Sequence, residues 1–177
     1  MTLTASQARA REQKILGDLG ELAVVRLLGA SSQNLNEIKN NFPLFDVLLD
    51  QKFYTVKTRR KYTPKDNKLN GEYNIVKPSQ SKQKLTSFRT AVEAMAIDAP
   101  KENLYWVAIP WEPDQWCPVY WGRLDQLPNN PVDEFFLGQD VYIRIKMKPQ
   151  YTQNYQILGW ARIDTLEARV EVKKEIE

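Results

Sequence analysis

Glu21, Asp46 and Lys57 are the residues of this 177-residue chain whose types and spacing suit hydrolysis at a phosphate. Lys57 ends the triplet Thr55-Val56-Lys57 within Phe53–Arg59 (FYTVKTR). That segment is β-branched and aromatic, which predicts a strand. Residues two apart in a strand face the same way, so Thr55 and Lys57 share a face. Asp46 lies just upstream in LFDVLLD, a second predicted strand, and Asp50-Gln51-Lys52 would turn the two into a hairpin. A charge inside an otherwise apolar strand is costly unless it is paired or used. Two carboxylates could hold Mg²⁺ or Mn²⁺, which generates hydroxide and offsets charge on a pentacoordinate phosphorus. A lysine beside them could orient the attacking water or neutralise the transition state. The plainer alternative is an ordinary Asp46–Lys57 cross-strand ion pair.

The rest of the composition narrows the chemistry. There is no histidine, which removes Ser-His-Asp and Cys-His nucleophile systems, imidazole bases and His-ligated metals. The single cysteine, Cys117, excludes a disulfide framework and a Cys-rich zinc site, and no activating partner is identifiable for it, so it reads as structural. What remains is carboxylate, lysine, hydroxyl and oxygen-ligated metal chemistry.

The elements that must position these residues can be read from periodicity. Residues 4–28 predict one long helix: Thr4 and Gln7 have capping-box spacing, apolar residues recur with a 3.6-residue period from Ile15 to Leu27, and Gly29 is a plausible stop. Gly17 and Gly20 are unexpected inside it, each costing about 1 kcal/mol. They are either tolerated surface glycines or places where the helix backbone closes on a sheet, with Glu21 beside that approach. Leu35–Lys39 and Leu44–Asp50 read as strands, residues 60–84 as a long loop with one strand at Tyr73–Val76, and the stretch from Thr86 or Ser87 to Ile97 as a helix. Ser79-Gln80-Ser81-Lys82-Gln83 precedes that helix, and its serines read as caps or its Gln and Lys as reaching the site. Leu104–Ile109, Val119–Leu124, Val141–Met147 and Gln156–Ile163 follow as strands, while 165–176 is undecided between strand and helix. The expected fold class is α/β (mixed α+β), a central mixed sheet flanked by helices in αβββαβ order. A single domain over 1–177 is expected, with a core at about 14–110 and a strand-rich C-terminal extension at 111–177.

With these residues in place, the stretch from 14 to 110 resembles the PD-(D/E)XK nuclease superfamily, the restriction endonuclease-like fold. The resemblance rests on GDLGELAVVRLL, FDVLL, YTVKTR and LYWVAIPW, in that order, and QILGW looks like a closing strand of some members. It implies divalent-metal-dependent DNA cleavage, with Mg²⁺ (or Mn²⁺) held by Asp46, Glu21 and the backbone carbonyl of Val56, and with Asp46, Lys57 and Glu21 as catalytic residues. Thr55 stands where the family has its triplet acid, and threonine is a poor Mg²⁺ ligand beside a carboxylate. Either Glu21 supplies the second carboxylate or the site is degraded.

Charge placement supplies the second signal. The total is only +3, yet Lys52–Lys84 holds ten positive residues against Asp66 and Glu72. That block is +8 and leaves −5 for the remainder. Arg59, Arg60, Lys61, Lys65, Lys68 and Lys82, interleaved with Tyr62 and Tyr73, suit a phosphate backbone with base stacking, so DNA is the expected partner. A solvated mobile loop is the plainer reading. The tryptophans at 106, 111, 116 and 121 are expected in core and strand-edge packing.

Two alternatives stay open: a non-catalytic nucleic-acid-binding module on the same fold, and a protein-interaction domain using the Trp- and Pro-rich 105–135 region. A homodimer would suit a substrate with two strands. Met1-Thr2-Leu3-Thr4 leads into polar sequence rather than an apolar signal core, and the longest apolar runs, such as Leu22–Val25, fall far short of the ~20 residues of a membrane span. The expectation is a cytoplasmic protein with no membrane partner.

Overall fold

The computed structural model describes residues 2–29, 31–39 and 41–175. The chain opens with α1 (Ala5–Leu28), whose N-terminus is closed by the Thr4/Gln7 capping box. At its other end Gly29, at φ 109°, donates its N–H to the Val25 carbonyl. A two-residue strand β1 (Gln33–Asn34), a short helix α2 (Leu35–Ile38), β2 (Val47–Leu49) and the long β3 (Lys52–Arg60) follow. Next come β4 (Glu72–Val76), α3 (Ser81–Met95), β5 (Leu104–Trp111), β6 (Cys117–Arg123), α4 (Pro131–Phe136), β7 (Ile143–Lys146), α5 (Pro149–Thr152), β8 (Gln156–Asp164) and β9 (Arg169–Lys173).

Seven strands form one sheet in the order β1-β2-β3-β5-β6-β8-β9, and β4 and β7 pair separately. Within the large sheet only β3 and β5 run parallel, with Lys57 opposite Ala108; every other neighbouring pair is antiparallel. The chain is thus mixed α/β, and α3 lies within the crossover that a parallel pair requires. After residue 111, β6, β8 and β9 continue the same sheet, while β7 pairs with β4. Arg26 of α1 also donates to the Val170 carbonyl of β9, at 2.7 Å, so the tail packs back on the first helix.

Two hydrophobic cores cover the sheet. Leu16, Leu19, Ala23, Val24 and Leu27 of α1 pack on Val47, Tyr54, Val56, Val107 and Ile109. On the other face Phe45, Phe53 and Phe88 interlock with ring centroids 5.0–5.7 Å apart, joined by Trp106, Tyr73 and the residues of α4 and β7. Strand β3 therefore divides by parity. Tyr54, Val56, Thr58 and Arg60 turn to α1; Phe53, Thr55, Lys57 and Arg59 turn the other way.

Several expectations change. Leu35–Lys39 is not a strand: the Asn34 side chain accepts the Asn36 N–H at 2.9 Å and caps α2 instead. The predicted strand 44–50 shortens to Val47–Leu49, because Leu44 sits at φ 67°. The second long helix begins at Ser81 rather than 86, and neither serine caps it; Ser81 is buried and its Oγ donates to the Gln139 carbonyl at 2.8 Å. The undecided 165–176 segment contains strand β9, with Ile176 outside the described residues. Trp106 and Trp111 are buried, whereas Trp116 and Trp121 are only partly covered. Cys117 is buried, and burial pushes its thiol pKa up. Among the described residues no helix is long and apolar enough to cross a membrane.

Candidate active site

Glu21 reaches the sheet because Gly20 lets α1 come close. A Cβ built on Gly20 would lie 1.9 Å from Thr58 Oγ1, so only glycine permits this helix–strand contact. Gly17 has open space around it and plays no such part. Glu21 follows directly on the helix and projects towards the mouth of the β2–β3 hairpin.

Asp46 is fixed by its own backbone. Its N–H donates to the Tyr54 carbonyl and its carbonyl accepts the Leu35 N–H, both at 2.8 Å. Its side-chain Oδ2 accepts the Val56 N–H at 2.7 Å, extending the hairpin by one side-chain rung. The N–H and C=O of one strand residue project to the same side. The Val56 carbonyl therefore also faces the Asp46 side, beyond the last β2–β3 backbone pair at Val47 and Tyr54.

The carboxyls of Glu21 and Asp46 lie near enough to act on one another's ionisation. Burial, followed by the Asp46 charge, pushes the Glu21 pKa up to about 7. Burial likewise raises Asp46, opposed by the Val56 N–H and by Lys57. Asn36, on the unforeseen helix α2, donates from Nδ2 to Glu21 Oε1 at 2.8 Å, and its Oδ1 accepts the Phe42 N–H at 3.1 Å. Sequence reasoning missed this residue; the cap-forming spacing Asn34-x-Asn36 was its only signal.

Lys57 lies in the field of both carboxylates but makes no ion pair within 4.0 Å among the described residues. Cross-strand ion pairing to Asp46 is therefore not its role. Burial lowers its pKa, Asp46 and Glu21 raise it, and Arg59 and Lys84 lower it further. Thr55, one step back on the same face, is fully buried, with no hydrogen-bond partner for Oγ1 among the described residues.

The donor set is thus two carboxylates and one backbone carbonyl. Among the described residues no cluster of three or more Asp, Glu, Cys or His side chains forms. Mg²⁺ commonly takes one or two protein carboxylates and keeps several waters, so this set fits a hydrated divalent cation. Two carboxyls held this close also fit, because a cation would relieve their repulsion.

The cationic block is divided between faces. Arg60 turns to α1, where it holds Glu12 through two bonds of 2.7 and 2.9 Å and lies 4.8 Å from the Trp111 ring. It is a structural clamp on the side away from Lys57. Arg59 shares the Lys57 face and donates to the Thr58 carbonyl at 3.0 Å. Lys61 pairs with Glu112 at 3.6 Å. Lys65 and Lys68 are exposed on the loop after β3, and Lys82 is exposed in the first turn of α3. No family model, curated protein or solved structure matches the chain.

Proposed function

We propose that this chain is a divalent-metal-dependent DNA endonuclease built on a restriction endonuclease-like core. One observation carries the reading: Glu21, held by Asn36, and Asp46, held by the Val56 N–H, bring two carboxyls from separate elements together beside a partly buried lysine that has no ion-pair partner among the described residues. Such an arrangement opposes stability, and perturbed groups of this kind cluster at functional sites. A helix, a hairpin, a helical crossover and a strand parallel to β3 agree with the core that the motif order implies.

A bound Mg²⁺ or Mn²⁺ would supply a hydroxide nucleophile and charge neutralisation at the phosphate. Asp46, Glu21 and the Val56 carbonyl would hold it. Asp46 is oriented by the Val56 N–H, and Asn36 keeps Glu21 turned towards Asp46. Lys57 sets its ammonium against the scissile phosphate, where charge develops, and its lack of a fixed salt bridge leaves it available for that contact. Lys65, Lys68 and Lys82 would hold the flanking phosphates.

The test is plasmid cleavage in Mg²⁺, Mn²⁺ and EDTA. Nicking or linearisation is expected with either metal and not in EDTA, and is expected to be lost in Asp46→Ala and in Lys57→Ala. Variants that cleave like the parent would sink the assignment. The buried, unpartnered Thr55 supports a second reading, a DNA-binding module that has lost its third acid. That protein would bind DNA without metal, with affinity falling as salt rises, and would never cleave.

A further inference from the structure

A cleft of about 400 Å³ opens beyond the end of β3, on the Lys57 side of the sheet. Its walls include Lys61, Tyr62, Tyr73, Glu112, Trp116 and Tyr120. Lys57, Arg59 and Lys61 lead to it. They stand at every second position on one face of β3 and its continuation, and the ladder with β5 extends through the last of them, because the Lys61 N–H donates to the Trp111 carbonyl at 2.8 Å. A strand rises about 3.3 Å per residue, so successive cations are about 6.6 Å apart and the cleft starts roughly 13 Å from Lys57.

The lining is aromatic and polar together. Tyr62 is 41% exposed, and Tyr120 and Trp116 are partly open. Tyr73 is 1% exposed, and its hydroxyl has no hydrogen-bond partner among the described residues. Arg59, Cys117 and Tyr120 are the groups near enough to influence that hydroxyl. A buried hydroxyl left without a partner is destabilising, and one that borders a cleft can be satisfied by whatever enters. A purely apolar ligand would leave it and the Lys61–Glu112 pair facing nothing. A planar heterocycle with donors and acceptors on its edge satisfies both the rings and the polar groups.

We propose that this cleft seats an unpaired nucleobase of single-stranded DNA, about two nucleotides from the phosphate at Lys57, with the intervening backbone tracked by Lys57, Arg59 and Lys61. A paired base cannot present its face to such a pocket, so the substrate class is a single strand or an unpaired end. The inference rests on the endonuclease reading for its orientation, but its test does not depend on cleavage.

The experiment uses the full chain in EDTA with a single-stranded oligonucleotide carrying 2-aminopurine, against the same oligonucleotide annealed to its complement. The single strand is expected to bind at least tenfold more tightly, with a change in 2-aminopurine fluorescence on binding. Tyr62→Ala is expected to weaken it about 5- to 10-fold by removing a stacking face. Tyr73→Phe removes only the unpartnered hydroxyl. It is expected to weaken single-strand binding several-fold while leaving the melting temperature unchanged or higher, which a merely structural hydroxyl would not do. A 5-iodouracil oligonucleotide should photocross-link within the segments carrying Tyr62 and Trp116. Equal affinity for duplex and single strand, or parental binding by both variants, overturns the proposal. Cleavage without base capture refutes this inference alone, and base capture without metal-dependent cleavage refutes the endonuclease reading alone.

Discussion

Glu21 is the residue whose protonation carries the most consequence. Its carboxyl sits at about 7 against an ordinary value of 4.5, first because of burial and second because of Asp46. The folded protein therefore keeps a proton that the unfolded chain has released, and stability falls as pH rises from about 4.5 to 7. Glu21→Gln removes that loss. We expect the variant to be more stable than the parent at pH 8 by about 1–2 kcal/mol, after discounting for partial exposure, and to show little difference at pH 4.5. Urea unfolding at the two pH values measures this, and an equal loss at both would show that the acids are not in conflict. The same proton competes with metal. Mn²⁺ uptake by the parent should tighten from pH 6 to pH 8 by calorimetry, and Glu21→Gln should bind far more weakly at both. Thr55 gives the complementary case. Thr55→Asp buries a third acid beside the pair, so it should lower metal-free stability by about 1–3 kcal/mol and tighten Mn²⁺ binding at least several-fold.

At the scale of elements, the site depends on the contact between α1 and β3. Gly20→Ala forces a methyl group into Thr58 Oγ1 and into its Cβ, 2.9 Å away. Overpacking of this kind costs about 1–3 kcal/mol, and here it would also displace Glu21 from Asp46. Gly17→Ala, where nothing lies within 4 Å, should instead stabilise by about 0.5–1 kcal/mol through helix propensity. Thermal melts of the two alanines should move in opposite directions. This pair also marks how far sequence reaches. Both glycines stood out as helix-breaking, and α1, β3 and β5 were visible from capping, period and composition. The sequence contained nothing to say which glycine faces a strand, because that depends on the angle at which the helix lies across the sheet. Similarly, Asn36 reaches Glu21 only because α2 replaces the expected strand. The early start of α3 depends on Ser81 finding a carbonyl 58 residues away. Asp46 and Lys57 were legible because each charge interrupts an apolar strand, and Glu21 because it adjoins a glycine inside a helix; Asn36 carries neither mark.

For the whole molecule, the +8 block is the feature that folding reorganises most. Read along the chain it is one basic stretch, but its side chains are put to different uses. Arg60 is spent on Glu12 and Trp111 and Lys84 on the Ile75 carbonyl at 3.1 Å, whereas Lys61 keeps only a looser pair, 3.6 Å from Glu112. Lys65, Lys68 and Lys82 remain exposed, and none of them takes part in an ion pair within 4.0 Å among the described residues. If this face holds DNA, those three lysines release counterions on binding and Arg60 does not. Each phosphate contact contributes about 0.7 to the slope of log affinity against log salt for a single strand and 0.9 for a duplex. Replacing Lys65, Lys68 and Lys82 together by alanine should therefore flatten the slope by about 2–3, with the melting temperature unchanged. Arg60→Ala should leave the slope nearly intact while destabilising the fold by about 1–2 kcal/mol, since it opens a part-buried bidentate pair and an aromatic contact. Fluorescence anisotropy over a salt series separates the two variants. A slope that survives the triple replacement would move the nucleic-acid face away from this side of the sheet. It would also remove the electrostatic support for placing a strand along Lys57, Arg59 and Lys61, because the same exposed cations must hold the segment that those three residues guide.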